Sequence, residues 1–229
     1  MQIGTDLVLL SSMATVVIAV SLSTYLGRKW LSQKVRLLTD LPLVFAIAFV
    51  GQAFNIAIVT LQHIGILPAT MIFFRIRTIG IGGSIIPIFG AILQIWAPSI
   101  QRYHNRLVYL LSLYWLGIDF FVPIETLIMS LLIPVLVILG LMMMFTFIIT
   151  WRTGRLKEVR SELMVLSVLF GMASQVLRVP LLTTSLFYLP DVLLAISMVL
   201  TAIAFGNPWY NREKKVKPEE SPHMIALSG

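Results

Sequence analysis

Six ionisable side chains stand in or beside the long apolar runs of this chain: Arg75, Arg77 and Arg178, and Asp119, Glu125 and Asp191. A charge in hydrocarbon is costly, so one that is kept there serves an ion pair, a ligand contact or a transport path. Neutral polar residues accompany them. Gly171, Ser174, Gln175 and Arg178 recur at i, i+3, i+4 and i+7, one stripe of a helix. Gln52, Asn55 and Gln62 fall within roughly 80° of one another at about 100° per residue. Tyr109, Ser112 and Asp119 form a similar set. Arg75 and Arg77 are about 200° apart and face different neighbours. The first shares its face with Thr78 and Gly82, the second with Ser84. Arg178 lies deeper in a shorter run, and Asp191 or Asp119 is its expected partner. The chemistry these types support is a polar pocket in one half of a membrane bundle, with Arg178, Arg75 and a carboxylate as ligand contacts. The competing expectation is that the arginines snorkel to headgroups or only lock helices together.

Other chemistry is poorly supported. There is no cysteine, which removes disulfides, thiolate metal sites and cysteine catalysis. His63, His104 and His223 are far apart in sequence and lack metal-ligand spacing. No Ser-His-Asp set lies within the apolar runs, and no zincin motif or phosphate loop occurs. We therefore expect no enzyme activity, no metal and no cofactor. Met142, Met143 and Met144 read as packing, because soft-metal binding lacks a supporting Cys or His cluster.

The elements that must position these residues follow from composition. The 229 residues are 58% hydrophobic and 12% charged, with a mean hydropathy of +0.94. A soluble domain carries roughly twice that share of charge. The apolar runs are continuous and long enough for helical crossings, and the expected fold is an all-α integral membrane protein, a seven-transmembrane-helix bundle. The expected spans are 6–26, 41–61, 69–97, 107–122, 124–151, 163–182 and 191–206, with Pro123 dividing the fourth from the fifth. Residues 1–210 form the membrane domain and 211–229 a short charged tail. No basic segment precedes the first run, so it is expected to be retained as a span rather than cleaved.

Fourteen of the 17 Lys and Arg lie after spans 1, 3, 5 and 7, and none lies in the intervening loops. The positive-inside rule then puts the N-terminus outside and the C-terminus in the cytoplasm, in the cell membrane. Trp30, Trp96, Trp151 and Trp209 mark the inner boundary. The same rule accounts for the net charge of +7, so no nucleic-acid partner is implied. The expected partners are the lipid bilayer and a cytoplasmic or membrane protein.

A faint repeat relates Gly51-Gln52-Ala53-Phe54-Asn55 of span 2 to Gly171-Met172-Ala173-Ser174-Gln175 of span 6. Trp96-Ala97-Pro98 and Gly206-Asn207-Pro208 end spans 3 and 7, each Pro four residues before an arginine. This gives a 3+1+3 layout. In architecture alone it resembles microbial rhodopsins, sugar carriers of two three-helix halves, and the seven-span sensor regions of prokaryotic histidine kinases. Span 7 has no lysine, so covalent retinal binding is excluded. The expected function is receptor- or sensor-like. The alternatives are a small-solute or ion carrier, in which Gln52, Asn55 and Gln175 would matter most, and a non-catalytic subunit of a larger complex.

Overall fold

A computed structural model describes residues 2–33, 36–37, 40–96, 101–154, 159–178, 181, 184 and 186–207, with the backbone alone for 2–5 and 178. The tail expected over 211–229, Trp209 and the side chain of Arg178 lie outside the described residues. Seven helices are formed: α1 Gln2–Leu31, α2 Leu41–His63, α3 Met71–Trp96, α4 Gln101–Phe121, α5 Glu125–Thr153, α6 Ser161–Arg178 and α7 Leu189–Gly206.

Five of them, α1, α2, α3, α5 and α7, are long and apolar enough to cross a membrane. Two differ from the expected spans for identifiable reasons. The fourth helix starts at Gln101 rather than near Leu107, because nothing in Arg102 to Arg106 breaks a helix, and so it carries three basic-type side chains in its first turns. The apolar part of α6 covers only Ser161–Leu177. Pro42 and Pro190 sit in the first turns of α2 and α7, where a missing N–H costs little. Gly154 closes α5 and Asn207 closes α7, both in left-handed conformation.

Packing neighbours define the architecture. Helix α1 packs on α2, α2 on α3, α3 on α5, α5 on α6, α6 on α7 and α7 back on α1, while α4 lies against α3 and touches α5 only briefly. At the end that bears the basic loops, a core from α1, α2, α5, α6 and α7 fills the interior with Phe45, Phe49, Phe147, Met164, Met198 and Phe205. Phe45 and Phe205 meet at 5.0 Å between ring centroids, so α2 and α7 face each other across the interior. Lys29 donates to the carbonyl of Phe205, and the Arg160 N–H donates to the carbonyl of Ala204 at 3.1 Å. Both interactions satisfy carbonyls at the C-terminus of α7, where cations are also favoured by the helix dipole. A second cluster, Trp115, Ile118, Ile128 and Leu132, joins α4 to α5 at the opposite end. Met143 and Met144 pack against the first core, in keeping with a packing role.

The surface is inverted relative to a soluble protein. Leu10, Val17, Ile72, Leu113, Phe121 and Ile138 are more than half exposed, while Ser12, Thr15, Thr78, Asp119, Ser167 and Ser174 are buried. An apolar exterior of this extent has no stable place in water. An all-helical chain with this exterior and five membrane-length helices is consistent with a polytopic membrane protein.

Small residues decide the closest helix approaches. A Cβ on Gly51 would lie 1.7 Å from Ser84 Oγ and 2.8 Å from the Gly80 carbonyl of α3. A Cβ on Gly82 would lie 2.5 Å from the indole nitrogen of Trp115, so that glycine is the notch that seats α4 on α3. Gly83, which shares the same run, has no neighbour within 4 Å of such an atom. Replacing Gly51 by Ala is therefore expected to destabilise the fold by about 1–3 kcal/mol through overpacking. Replacing Gly83 by Ala should be neutral or stabilising by up to about 1 kcal/mol. Unfolding midpoints of the two variants in the same detergent check the contrast.

Candidate functional site

The polar residues singled out by sequence are not gathered into one cavity. They separate into three clusters, all at the end of the bundle opposite the basic loops. Each is built on a helix pair, because the 3.6-residue repeat can present a side chain to only one neighbour at a time.

The first joins α1 and α7 and opens outward. Asp191 lies in the first turn of α7 and is buried, at 6% exposure. Ser12 Oγ donates to its carboxylate at 2.6 Å, and Thr15 Oγ1 donates to its backbone carbonyl at 3.2 Å. A small pocket between α1, α2 and α7 reaches this carboxylate. Its walls are Val8, Leu9, Ile56, Val59 and Phe187, with Ser12 and Thr60 as neutral polar lining and the exposed His63 at its mouth. Thr60 also donates to the Ile56 carbonyl at 2.8 Å, which leaves its oxygen able to accept a second bond. The space itself is small, about 20 Å³, the scale of a water molecule, and its lining is mostly apolar with a few hydrogen-bonding groups.

The second joins α3 and α4. Asp119 is fully buried and accepts a hydrogen bond from the Thr78 hydroxyl. Trp115 Nε1 donates to the Thr78 carbonyl at 2.8 Å. Arg75 donates to the carbonyl of Val122 at 3.2 Å, just beyond the C-terminus of α4. A cation there is favoured by the helix dipole.

The third joins α2 and α3. Arg77 Nε donates to Asn55 Oδ1 at 3.0 Å, while Gln52, one turn below Asn55, keeps a buried side-chain oxygen without a protein partner. The split between Arg75 and Arg77 follows the angle read from sequence: one faces α4, the other α2.

The remaining candidates fall elsewhere. Gln175 is exposed, although its stripe neighbour Ser174 is fully buried and donates to the Pro190 carbonyl at 2.7 Å. Glu125 is exposed in the first turn of α5, and Tyr109 is 69% exposed. The backbone of Arg178 ends α6; whether its side chain meets Asp191 lies outside the described residues. Sequence reasoning gave α1 no part in the site, yet Ser12 and Thr15 supply the hydroxyls at Asp191. Their spacing of three residues, which puts them on one face of α1, was the available signal.

No protein-family model, curated protein or solved structure matches this chain.

The Ser12 bond ties α1 to the Asp191 carboxylate of α7 at the pocket. Ser12→Ala is expected to cost about 1 kcal/mol, the scale of an interhelical hydrogen bond in a membrane bundle. Tyr109→Ala, on an exposed face of α4, should cost distinctly less than Ser12→Ala. Thermal unfolding in one detergent compares them directly.

Proposed function

We propose that this chain is a receptor- or sensor-like protein of the cell membrane that spans it seven times. The N-terminus is outside, the C-terminus is cytoplasmic, and a small ligand is taken by the pocket between α1, α2 and α7. The observation that carries this reading is that the pocket leads to a buried carboxylate at one end of the bundle and stops there. Beyond it the interior is filled by Ala53, Phe49, Phe45 and Phe205 rather than by a continuing polar path. A ligand can therefore reposition α1, α2 and α7 against one another without having to pass between them. The basic loops then face a separate cytoplasmic partner, which fits their cluster of Arg and Lys. No catalytic role is proposed for any residue.

A second reading, a small-solute carrier of two three-helix halves, has its own support. The neighbour order 1-2-3-5-6-7 is closed by α3 against α5 and by α7 against α1, the pairing a twofold 3+1+3 layout requires. Gly51 of α2 abuts Ser84 of α3, and Gly171 of α6 abuts Ser197 of α7, so corresponding glycines meet a serine of the third helix in each half.

Two measurements decide. Purified protein in proteoliposomes is expected to show no uptake across a panel of sugars, amino acids and monovalent ions. Reproducible uptake of any one of them would replace the sensor by the carrier. The absence of native cysteine makes topology direct to read. Ile66→Cys should react with an impermeant maleimide on intact cells, and Leu37→Cys only after permeabilisation. The reverse pattern would overturn the orientation.

A further inference from the structure

Asp119 has one oxygen without a use. Its Oδ1 takes the Thr78 hydroxyl, and its Oδ2, fully buried, has no hydrogen-bond partner in the protein. Arg75 repeats the pattern from the donor side. One terminal nitrogen donates to the Val122 carbonyl, and the buried Nε donates to nothing. Thr78 stands between them, since its hydroxyl lies within bonding distance of both the Arg75 carbonyl and Asp119 Oδ1, yet the two side chains do not close into a direct ion pair. An orphan acceptor and an orphan donor therefore belong to the same polar cluster, at the outer end of α3 and α4. Trp115, Ile118, Ile128 and Leu132 form an apolar cluster beside it that keeps bulk solvent away.

We propose that Asp119, Arg75 and Thr78 build an internal hydration site between α3 and α4, whose ligand is a single water molecule that donates to Asp119 Oδ2 and accepts from Arg75 Nε. The two orphan atoms select this ligand, because a single small species must donate on one side and accept on the other. Burial fits it as well: both orphan atoms are buried, and the Trp115 indole bonds the Thr78 carbonyl beside them. A buried water needs about two to four polar partners, and the two orphan atoms supply the minimum. Leaving both unbonded in hydrocarbon surroundings would cost more than immobilising the water.

The consequence is mechanical. Helix α4 is held mainly by α3, with Trp115 and Ile118 packed on Ile128 and Leu132 of α5, and the clasp at its outer end includes an exchangeable molecule. A bridging water can re-form its bonds after a small shift of α4, whereas a direct ion pair would fix one register.

Radiolytic hydroxyl labelling of the whole protein in nanodiscs tests this, because trapped water generates radicals locally even where bulk solvent is excluded. Trp115 is 1% exposed. It is expected to be oxidised nonetheless, and its rate should fall severalfold in the double variant Arg75→Leu, Asp119→Leu, while exposed Trp96 and Trp151 keep theirs. An unchanged Trp115 rate, or none in the unaltered protein, overturns the proposal. Replacing both charges by apolar groups is the change best tolerated at such a site. Should that variant still fail to fold, a high-resolution structure of the unaltered protein decides. One isolated density peak bonded to both atoms supports the site. A direct Arg75–Asp119 pair, or nothing between them, refutes it.

Discussion

Hydrocarbon offers no hydrogen bonds, and most of the internal arrangement of this bundle follows from that. Each hydroxyl, amide or carboxyl group placed among the helices must find a partner in the protein. The first solution is local. Thr24, Thr60, Ser112 and Thr153 each donate to the carbonyl four residues earlier, which neutralises the hydroxyl without constraining a neighbour. The second solution crosses between helices. Ser23 donates to the Ala46 carbonyl, Thr150 to Ser161, and Ser167 bonds with Ser197 and Thr201. Each such bond fixes a rotation and a register. Apolar packing in lipid cannot do so with the same specificity, because the lipid tails compete for the same contacts.

The two ends of the bundle use this constraint differently. At the basic end the cross-links are short, and the interior is filled with aromatic rings and methionines. The positive charges there have carbonyls to serve, as Lys29 does at the C-terminus of α7. Trp30 donates to the Leu37 carbonyl and Trp96 to Thr146, which ties interfacial indoles to that end. At the opposite end the buried groups include the carboxyls of Asp119 and Asp191, and a pocket reaches the second. Asp119 and Asp191 play parallel parts: each is buried, and each accepts a hydroxyl from the neighbouring helix.

Helix α3 shows how little of a polar residue's role depends on its identity alone. Its two arginines are chemically the same and two positions apart. One reaches an amide oxygen of α2, the other a carbonyl at the end of α4 and the field of a buried carboxylate. Its glycines divide in the same way. Gly82 is the notch for Trp115, Gly80 takes the ring of Phe54, and Gly83 faces open space. Only the identity and distance of the neighbouring helix separate these cases.

The sequence by itself determined the class of the fold. Continuous apolar runs with half the usual charge require helices whose backbone groups are satisfied internally, and the position of Pro123 and the basic segments divided the runs. Helix periodicity also separated Arg75 from Arg77, since the angle between two residues of one helix needs no knowledge of its surroundings. The partners were another matter. That Ser12 and Thr15 of α1 would meet Asp191, that Gln175 would turn outward while Ser174 turned in, and that Asp119 would face Thr78 depend on which helices are adjacent and at what rotation. These are relations between residues 16 to 179 positions apart in the chain. Adjacency in lipid is set by the sum of many small packing contacts, none of which leaves a mark at a single position. The tertiary structure alone decided them.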